Sequence, residues 1–262
     1  DSKQFLEYLP DGAVCYFHNL AYDWCMFMRY ASHIQKVIKK GSKVYQAKIN
    51  YRGKKLTFKD SFPIFMCKLS VLPKSFGLTG IKKELFPYKY YTLERLAINE
   101  GLINEAGKDE DKPWSVDDYK TFNENIRNIN GCFIDEQRFD MYKYAEFYCV
   151  QDVRILREAF EKLCDGFMNE FNIDVKNILT TPALANEFFN QNVYYPNKNL
   201  YAVGGHVRQF MSRAVYGGRC MCAYNKKWHT DKPIYDYDAV SPYPSAMRRL
   251  WTVEGKPEVL NI

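Results

Sequence analysis

The spacing of apolar and polar positions changes along the chain, and each change predicts an element. Ala13-Val-Cys-Tyr-Phe-His18 is a continuous apolar, β-favouring run and predicts a strand. After Asn19-Leu-Ala-Tyr-Asp23 the spacing turns helical from Trp24 to Ala31. Alternation over Lys43–Asn50 and Leu56–Lys59, around Arg52-Gly-Lys, predicts a hairpin. Lys112-Pro-Trp-Ser115-Val-Asp-Asp118 predicts a capped helix start, after a charged loop from Glu105 to Lys112. Phe139 to Phe171 has strong helical periodicity, with Val150, Val153, Leu156, Phe160 and Leu163 as the expected apolar face. Thr181-Pro-Ala-Leu-Ala opens a further helix, followed by Tyr-, Asn- and Gly-rich turns over 194–205. Finally, Ile234 to Asp238 predicts a strand, turning at Ser241-Pro242 into a helix that reaches Met247.

This pattern predicts an α/β fold in two regions. Residues 1–172 mix strands and helices; residues 173–262 hold connecting helices and the last strand-turn-helix. Internal repeats and low-complexity tracts are absent from the sequence. With 262 residues, 47% hydrophobic and 26% charged, the composition is that of a globular protein with a sizeable core. Aromatic content is 16%, a supply of rings that cores and base stacking both use.

The net charge of +6 permits a polyanionic partner without requiring one. It is unevenly spread, since nine basic residues and no acid fall between Lys36 and Lys59. Lysines protecting an exposed sheet edge and a groove tracking a phosphate backbone both explain that stretch. The eight cysteines show no C-x-x-C and one C-x-C at Cys220 and Cys222, which gives neither a zinc pattern nor a disulfide framework. Without a secretory signal or an apolar run near ~18 residues, the chain is expected to be intracellular and soluble, with no membrane partner. Cytoplasm, organelle and nucleus are not distinguished. The start at Asp1 suggests a fragment or a processed product.

Four acids stand where chemistry is expected. Asp236 and Asp238 alternate with Tyr235 and Tyr237, so both face one side of the predicted strand, next to a helix N-terminus able to meet an anion. Asp23 follows a predicted strand and opens a helix; capping by Asn19 or Asp23 explains the pattern equally well. Asp152 lies inside the long helix, one turn after Tyr148. A carboxylate facing the core there needs a partner such as a metal, whereas one at the polar margin needs none.

Six strings carry a family resemblance. Asp238-x-x-Ser241-x-Tyr243-Pro244-Ser245 resembles motif A of family B DNA polymerases, with Pro242 standing where that family usually has Leu. Asn19-x-x-Tyr22-Asp23 and Tyr148-x-x-x-Asp152 resemble its second and third exonuclease motifs and occur in the same order. Asp60-Ser61-Phe62 and the Lys82-Lys-Glu-Leu85 segment resemble elements of the protein-primed branch found in viruses, linear plasmids and mobile elements. Val215-Tyr216-Gly217-Gly218-Arg219 is similar to its Y-x-G-G element, offset by one residue; a plain Gly-Gly turn explains it too.

The resemblance implies an RNase H-like 3′→5′ exonuclease domain over residues 1–172 and the start of a polymerase palm over 173–262. It implies a DNA-directed DNA polymerase that proofreads, working on template-primer and dNTPs, with a terminal protein as a further partner if priming is by protein. Asp23, Asp152 and Asp238 would be metal ligands for Mg²⁺ or Mn²⁺, at about two ions per site. Tyr148 would orient water, and Lys82 would stabilise the scissile phosphate. Asn19, Ser61 and Phe62 would grip the single-stranded 3′ end. Tyr216, Gly217 and Gly218 would contact template, and Ser241 and Tyr243 would bind the incoming nucleotide. No D-x-E precedes Asn19 and no D-T-D follows motif A, so the chain is expected to be an internal piece, inactive alone. A stand-alone exonuclease and a non-catalytic nucleic-acid-binding relic are the rival readings.

Overall fold

The alternation at Lys43–Asn50 becomes the middle of a four-stranded sheet of order β1-β4-β3-β2. The computed structural model describes residues 2–217, 226–227, 229–235, 237, 239–250 and 255–256. They divide into two compact units, residues 1–188 and 189–262.

In the first unit, α1 (Ser2–Tyr8) leads to β1 (Val14–Phe17) and α2 (Leu20–Phe27). An antiparallel meander follows: β2 (His33–Lys40), β3 (Lys43–Tyr51) and β4 (Lys54–Asp60). The β3–β4 turn is Arg52-Gly53, with φ of 46° and 83°, the two positive values that a tight two-residue hairpin needs. Arg52 bears that conformation while its guanidinium pairs with Glu7 Oε1 at 2.8 Å. Inward residues Val44, Ala47, Ile49, Leu56 and Phe58 pack on Leu6, Leu20, Trp24 and Phe27 of α1 and α2. β2 lies at the sheet edge with Lys36, Lys39 and Lys40 exposed, which supplies the edge-protection reading of the basic stretch with its geometry. β1 joins the other side of β4 in parallel, Phe17 opposite Asp60.

Short helical turns α3 (Phe62–Phe65) and α4 (Leu72–Ser75) carry the chain away from β4. Next come α5 (Leu93–Ile98), β5 (Glu100–Leu102), α6 (Ile103–Ala106), α7 (Val116–Asn128) and β6 (Arg138–Asp140), with β5 and β6 antiparallel. The start expected at Ser115 is present as a full capping box: Asp118 N donates to Ser115 Oγ at 3.1 Å and Ser115 N to Asp118 Oδ2 at 2.9 Å. Phe122, Ile126, Phe139 and Tyr144 centre this layer's own core.

The long helix is α8 (Met141–Phe171), capped by Asp140, which accepts from Lys143 N at 2.9 Å. Its apolar face is only in part the expected one: Phe160 is buried, and Leu156 and Leu163 are half-buried against the cores. Val150 and Val153 are 49% and 65% exposed, whereas Met141, Tyr144, Tyr148, Ile155 and Ala159 are buried. The buried stripe recurs at steps of three, four and seven residues and runs through Asp152. Two tyrosines and an alanine carry it because their neighbours, Phe122, Phe86 and Leu72, offer flat or close-packed surfaces.

After α8, Ile173, Val175 and Leu184 of α9 (Thr181–Phe189) fold back on Phe160 and Cys164. The unit boundary therefore falls at 188/189 rather than at the change of pattern near 172. In the second unit a π-helical turn (Asn190–Tyr194), α10 (Gly205–Ser212) and α11 (Pro242–Met247) are the helices described. The strand expected over Ile234–Asp238 is absent from its described residues, where Ile234, Tyr235 and Tyr237 are exposed. Asp236 and Asp238 lie outside the described residues. Among the described residues no helix is long and apolar enough to cross a membrane.

Candidate functional site

Parallel pairing of β1 with β4 brings two chain turns to one end of the sheet. Asp60 closes β4 and is 5% exposed. Its Oδ1 accepts from Asn19 N and from Phe62 N, both at 2.9 Å, so one carboxylate holds the start of α2 and the start of α3. Ser61 Oγ donates to Phe17 O at 2.8 Å and lies 3.1 Å from His18 Nδ1. The His18 Nε2–H donates to Cys67 O at 3.0 Å, and burial lowers the imidazole pKa. The His18 ring meets Phe62 edge to face at 5.3 Å.

Asn19 is the residue before α2, with φ 78°, and its side chain makes no capping bond. Asp23 stands inside the first turn. The Asn19 side chain is not spent on the cap, and Asp60, from a different strand, holds the Asn19 backbone in place. Burial raises the Asp23 pKa, opposed by a backbone hydrogen bond and assisted by the nearby Asp60 charge. Asn19, Asp60, Phe62 and Pro63 line a cavity of about 250 Å³ with Tyr45 and Met66.

A second cluster forms on α8. Lys83 Nζ donates to Tyr148 OH and to Asp152 Oδ2, and the Tyr148 and Tyr88 hydroxyls bond to each other. The ammonium also sits 4.1 Å from the centre of the Tyr148 ring. Phe86 packs against that ring at 4.5 Å. Burial, then the Tyr88 bond and the Asp152 charge, drive the Tyr148 hydroxyl well above the usual tyrosine range. Asp152 Oδ1 is buried with no hydrogen-bond partner.

The lysine at this cluster is Lys83, whereas Lys82 is exposed beside it. Lys82-x-x-Leu85 and Lys83-x-x-Phe86 both fit the spacing; the second places its hydrophobic residue on Tyr148. Asp60, His18 and Tyr88 were likewise not singled out from sequence. Asp60 belongs to the quoted Asp60-Ser61-Phe62 string, so its position was visible though its role was not.

The site residues thus form two groups: Asn19, Asp23, Ser61 and Phe62 around Asp60, and Tyr148 and Asp152 around Lys83. The described hydrogen bonds and ion pairs do not join Asp23 to Asp152. Among the described residues no three His, Cys, Asp or Glu side chains cluster as a metal site. The donors present nevertheless suit a hard divalent cation, being carboxylate oxygens, and the orphaned Asp152 Oδ1 has lone pairs to give. In the second unit Tyr216 and Gly217 are exposed, and Gly218 lies outside the described residues with Asp238. Ser241 precedes α11 with φ 49° and no side-chain capping bond, so its hydroxyl does not cap as expected; Tyr243 is exposed.

The family model for DNA polymerase type B, organellar and viral, matches residues 6–260. The chain belongs to this family. A probable DNA polymerase of Ascobolus immersus is 25% identical over 272 aligned residues, covering 97% of this chain and 21% of the relative. Probable DNA polymerases of Agaricus bitorquis and Podospora anserina are 24% and 25% identical, over 74% and 72% of this chain and 23% and 15% of theirs. The chain therefore spans less than a quarter of the length of these relatives. No solved structure matches it significantly. The family match takes in both clusters of the first unit and the motif A string of the second.

Proposed function

We propose that this chain is part of a DNA-directed DNA polymerase that extends a primer from dNTPs and trims it with a 3′→5′ exonuclease. The observation that carries the nuclease half is the buried, unpartnered Asp152 Oδ1 beside the Lys83–Tyr148 pair. An acid left half satisfied inside a packed face costs stability and is retained where it has a ligand to meet. The sheet with β1 parallel to β4 and helices against it suits an RNase H-like exonuclease fold.

In this reading Asp23 and Asp152 hold Mg²⁺ or Mn²⁺ at the exonuclease centre, and Asp238 does so at the polymerase centre. Bound divalent ions activate the attacking oxygen and offset the charge of the phosphate. The residues of this chain supply the rest. The Tyr148 hydroxyl, with its pKa raised, stays protonated, so it orients a water by hydrogen bonding and does not act as base. Lys83, fixed by Tyr148 and Asp152, presents an ammonium to a phosphate oxygen. Asn19, free of capping duty, and the ring of Phe62 at the 250 Å³ cavity hold the terminal nucleotides, with Ser61 and His18 setting the Phe62 turn.

At the second centre Ser241 and Tyr243 bind the incoming nucleotide, and Tyr216, Gly217 and Gly218 touch the template. A terminal protein as primer belongs to the same proposal and draws on the protein-primed resemblance of residues 60–85. The test is the intact protein on a primed template with Mg²⁺: shortening without dNTPs and lengthening with them are expected. Neither reaction at any Mg²⁺ or Mn²⁺ level would refute the proposal.

A further inference from the structure

The layer of β5, α6, α7 and β6 is inserted between Lys83 and Tyr148 and is not used by the reading above. Its residues from Ala106 to Asp118 face the segment 83–90 across a cleft of about 360 Å³, within the size range of ligand sites. Tyr148 lies in the wall, so the cleft reaches the Lys83–Asp152 cluster. Lys89 straps the two walls together, its Nζ donating to Asp109 at 2.7 Å and to Asp111 at 2.5 Å.

The charges in the wall are not equivalent. Its three acids are engaged: Asp109 by Lys89, Glu84 by Asn125 Nδ2 at 2.6 Å, and Asp118 by the Ser115 cap. Lys83 and Lys89 are paired. Lys108 and Lys112 are exposed and form no ion pair among the described residues, although Lys112 lies close enough to Asp118 to act on its charge. Tyr88, 67% exposed, also lines the cleft while its hydroxyl bonds to that of Tyr148. Cations outside any ion pair beside an exposed aromatic ring are the ingredients of a single-strand groove.

We infer that this cleft binds single-stranded DNA, Lys108 and Lys112 holding its phosphates while a base stacks on Tyr88 next to the exonuclease centre. The inference rests on the nuclease reading for its purpose, but its binding can be measured without chemistry. Removing two phosphate contacts takes about 1.4 off the slope of log affinity against log salt, at roughly 0.7 per contact on a single strand.

The experiment uses the intact polymerase. A fluorescein-labelled oligothymidylate is titrated in Ca²⁺ across a salt series, with Lys108→Ala/Lys112→Ala against wild type and against Lys68→Ala/Lys74→Ala, exposed lysines outside the cleft. Hydrolysis of thymidine 5′-p-nitrophenyl phosphate in Mn²⁺ is measured in parallel, since that ester needs the centre and not the strand. The expected result is weaker binding and a slope lower by about 1.4 for the cleft variant alone, with ester hydrolysis unchanged. An unchanged slope, or an equal loss in the control variant, overturns the cleft. Absence of ester hydrolysis in all proteins refutes the nuclease reading instead, and leaves the binding curves to decide the cleft by themselves.

Discussion

Lys83 and Asp152, one on an irregular segment and the other on a helix, share an ion pair whose second carboxylate oxygen is buried and unpartnered. Each side chain is about one-quarter exposed, so the pair is screened less than a surface bridge. The arrangement separates two adjacent lysines. Lys83→Ala is expected to lower the exonuclease rate of the intact polymerase by about 10²-fold, the scale for losing a charge-stabilising donor. Lys82→Ala should leave it within about threefold. Single-turnover degradation of a labelled single strand reads both; an equal effect of the two substitutions would remove Lys83 from the site.

The face of α8 supplies a second prediction. Ile155→Ala opens a cavity between α8 and Leu72 and is expected to cost about 2–5 kcal/mol in urea unfolding. Val153→Ala, on an exposed position, is expected to stay within about 0.5 kcal/mol. The reverse order would mean that Val150 and Val153 face the core after all.

That face shows where the sequence stops speaking. Helical periodicity over Phe139–Phe171 is visible at a glance, yet it cannot rank Tyr144, Tyr148 and Ala159 above Val150 and Val153. The choice is made by Phe86 and Phe122, flat partners distant in sequence. The strand before His18 and the hairpin at Arg52-Gly53 were readable because they are local, an apolar run and a turn pair; α2 starts at Leu20, four residues before the expected Trp24. The edge strand β2 was hidden by its lysines. Asp60 was hidden for another reason, since its partner Asn19 N lies across a parallel strand pair that no short-range pattern specifies.

Asp60 gives the third prediction. Its one oxygen satisfies two backbone N–H groups that are otherwise exposed to desolvation, and it is itself buried. Asp60→Ala is expected to destabilise the protein by about 1–3 kcal/mol, the cost of orphaned donors. Because Asn19 and Phe62 both lose their anchor, the Michaelis constant for a single strand should rise as well. A variant stable and unaltered in strand binding would deny Asp60 its role.

The Lys89 strap is expected to depend on pH in a stated direction. Its bond to Asp109 lowers that carboxyl pKa, and the same bond raises the pKa of Lys89. A lowered carboxylate contributes stability above its unfolded value, about 3.9, and loses it as pH falls through the folded value. A raised amine contributes below its unfolded value, about 10.4, and loses it as pH rises through the folded one. Coupling between Lys89→Met and Asp109→Asn in a double-mutant cycle should therefore be favourable from about pH 5 to 9 and shrink at both ends. Coupling that fails to shrink below about pH 4 and above about pH 10 would exclude the strap.

The central claim is that two separate carboxylate centres serve extension and trimming. The most direct measurement is a primed-template assay of the intact polymerase in Mg²⁺, comparing Asp152→Asn with Asp238→Asn. The account predicts that Asp152→Asn abolishes shortening and keeps extension, and that Asp238→Asn does the opposite. Loss of the same activity in both variants would contradict it.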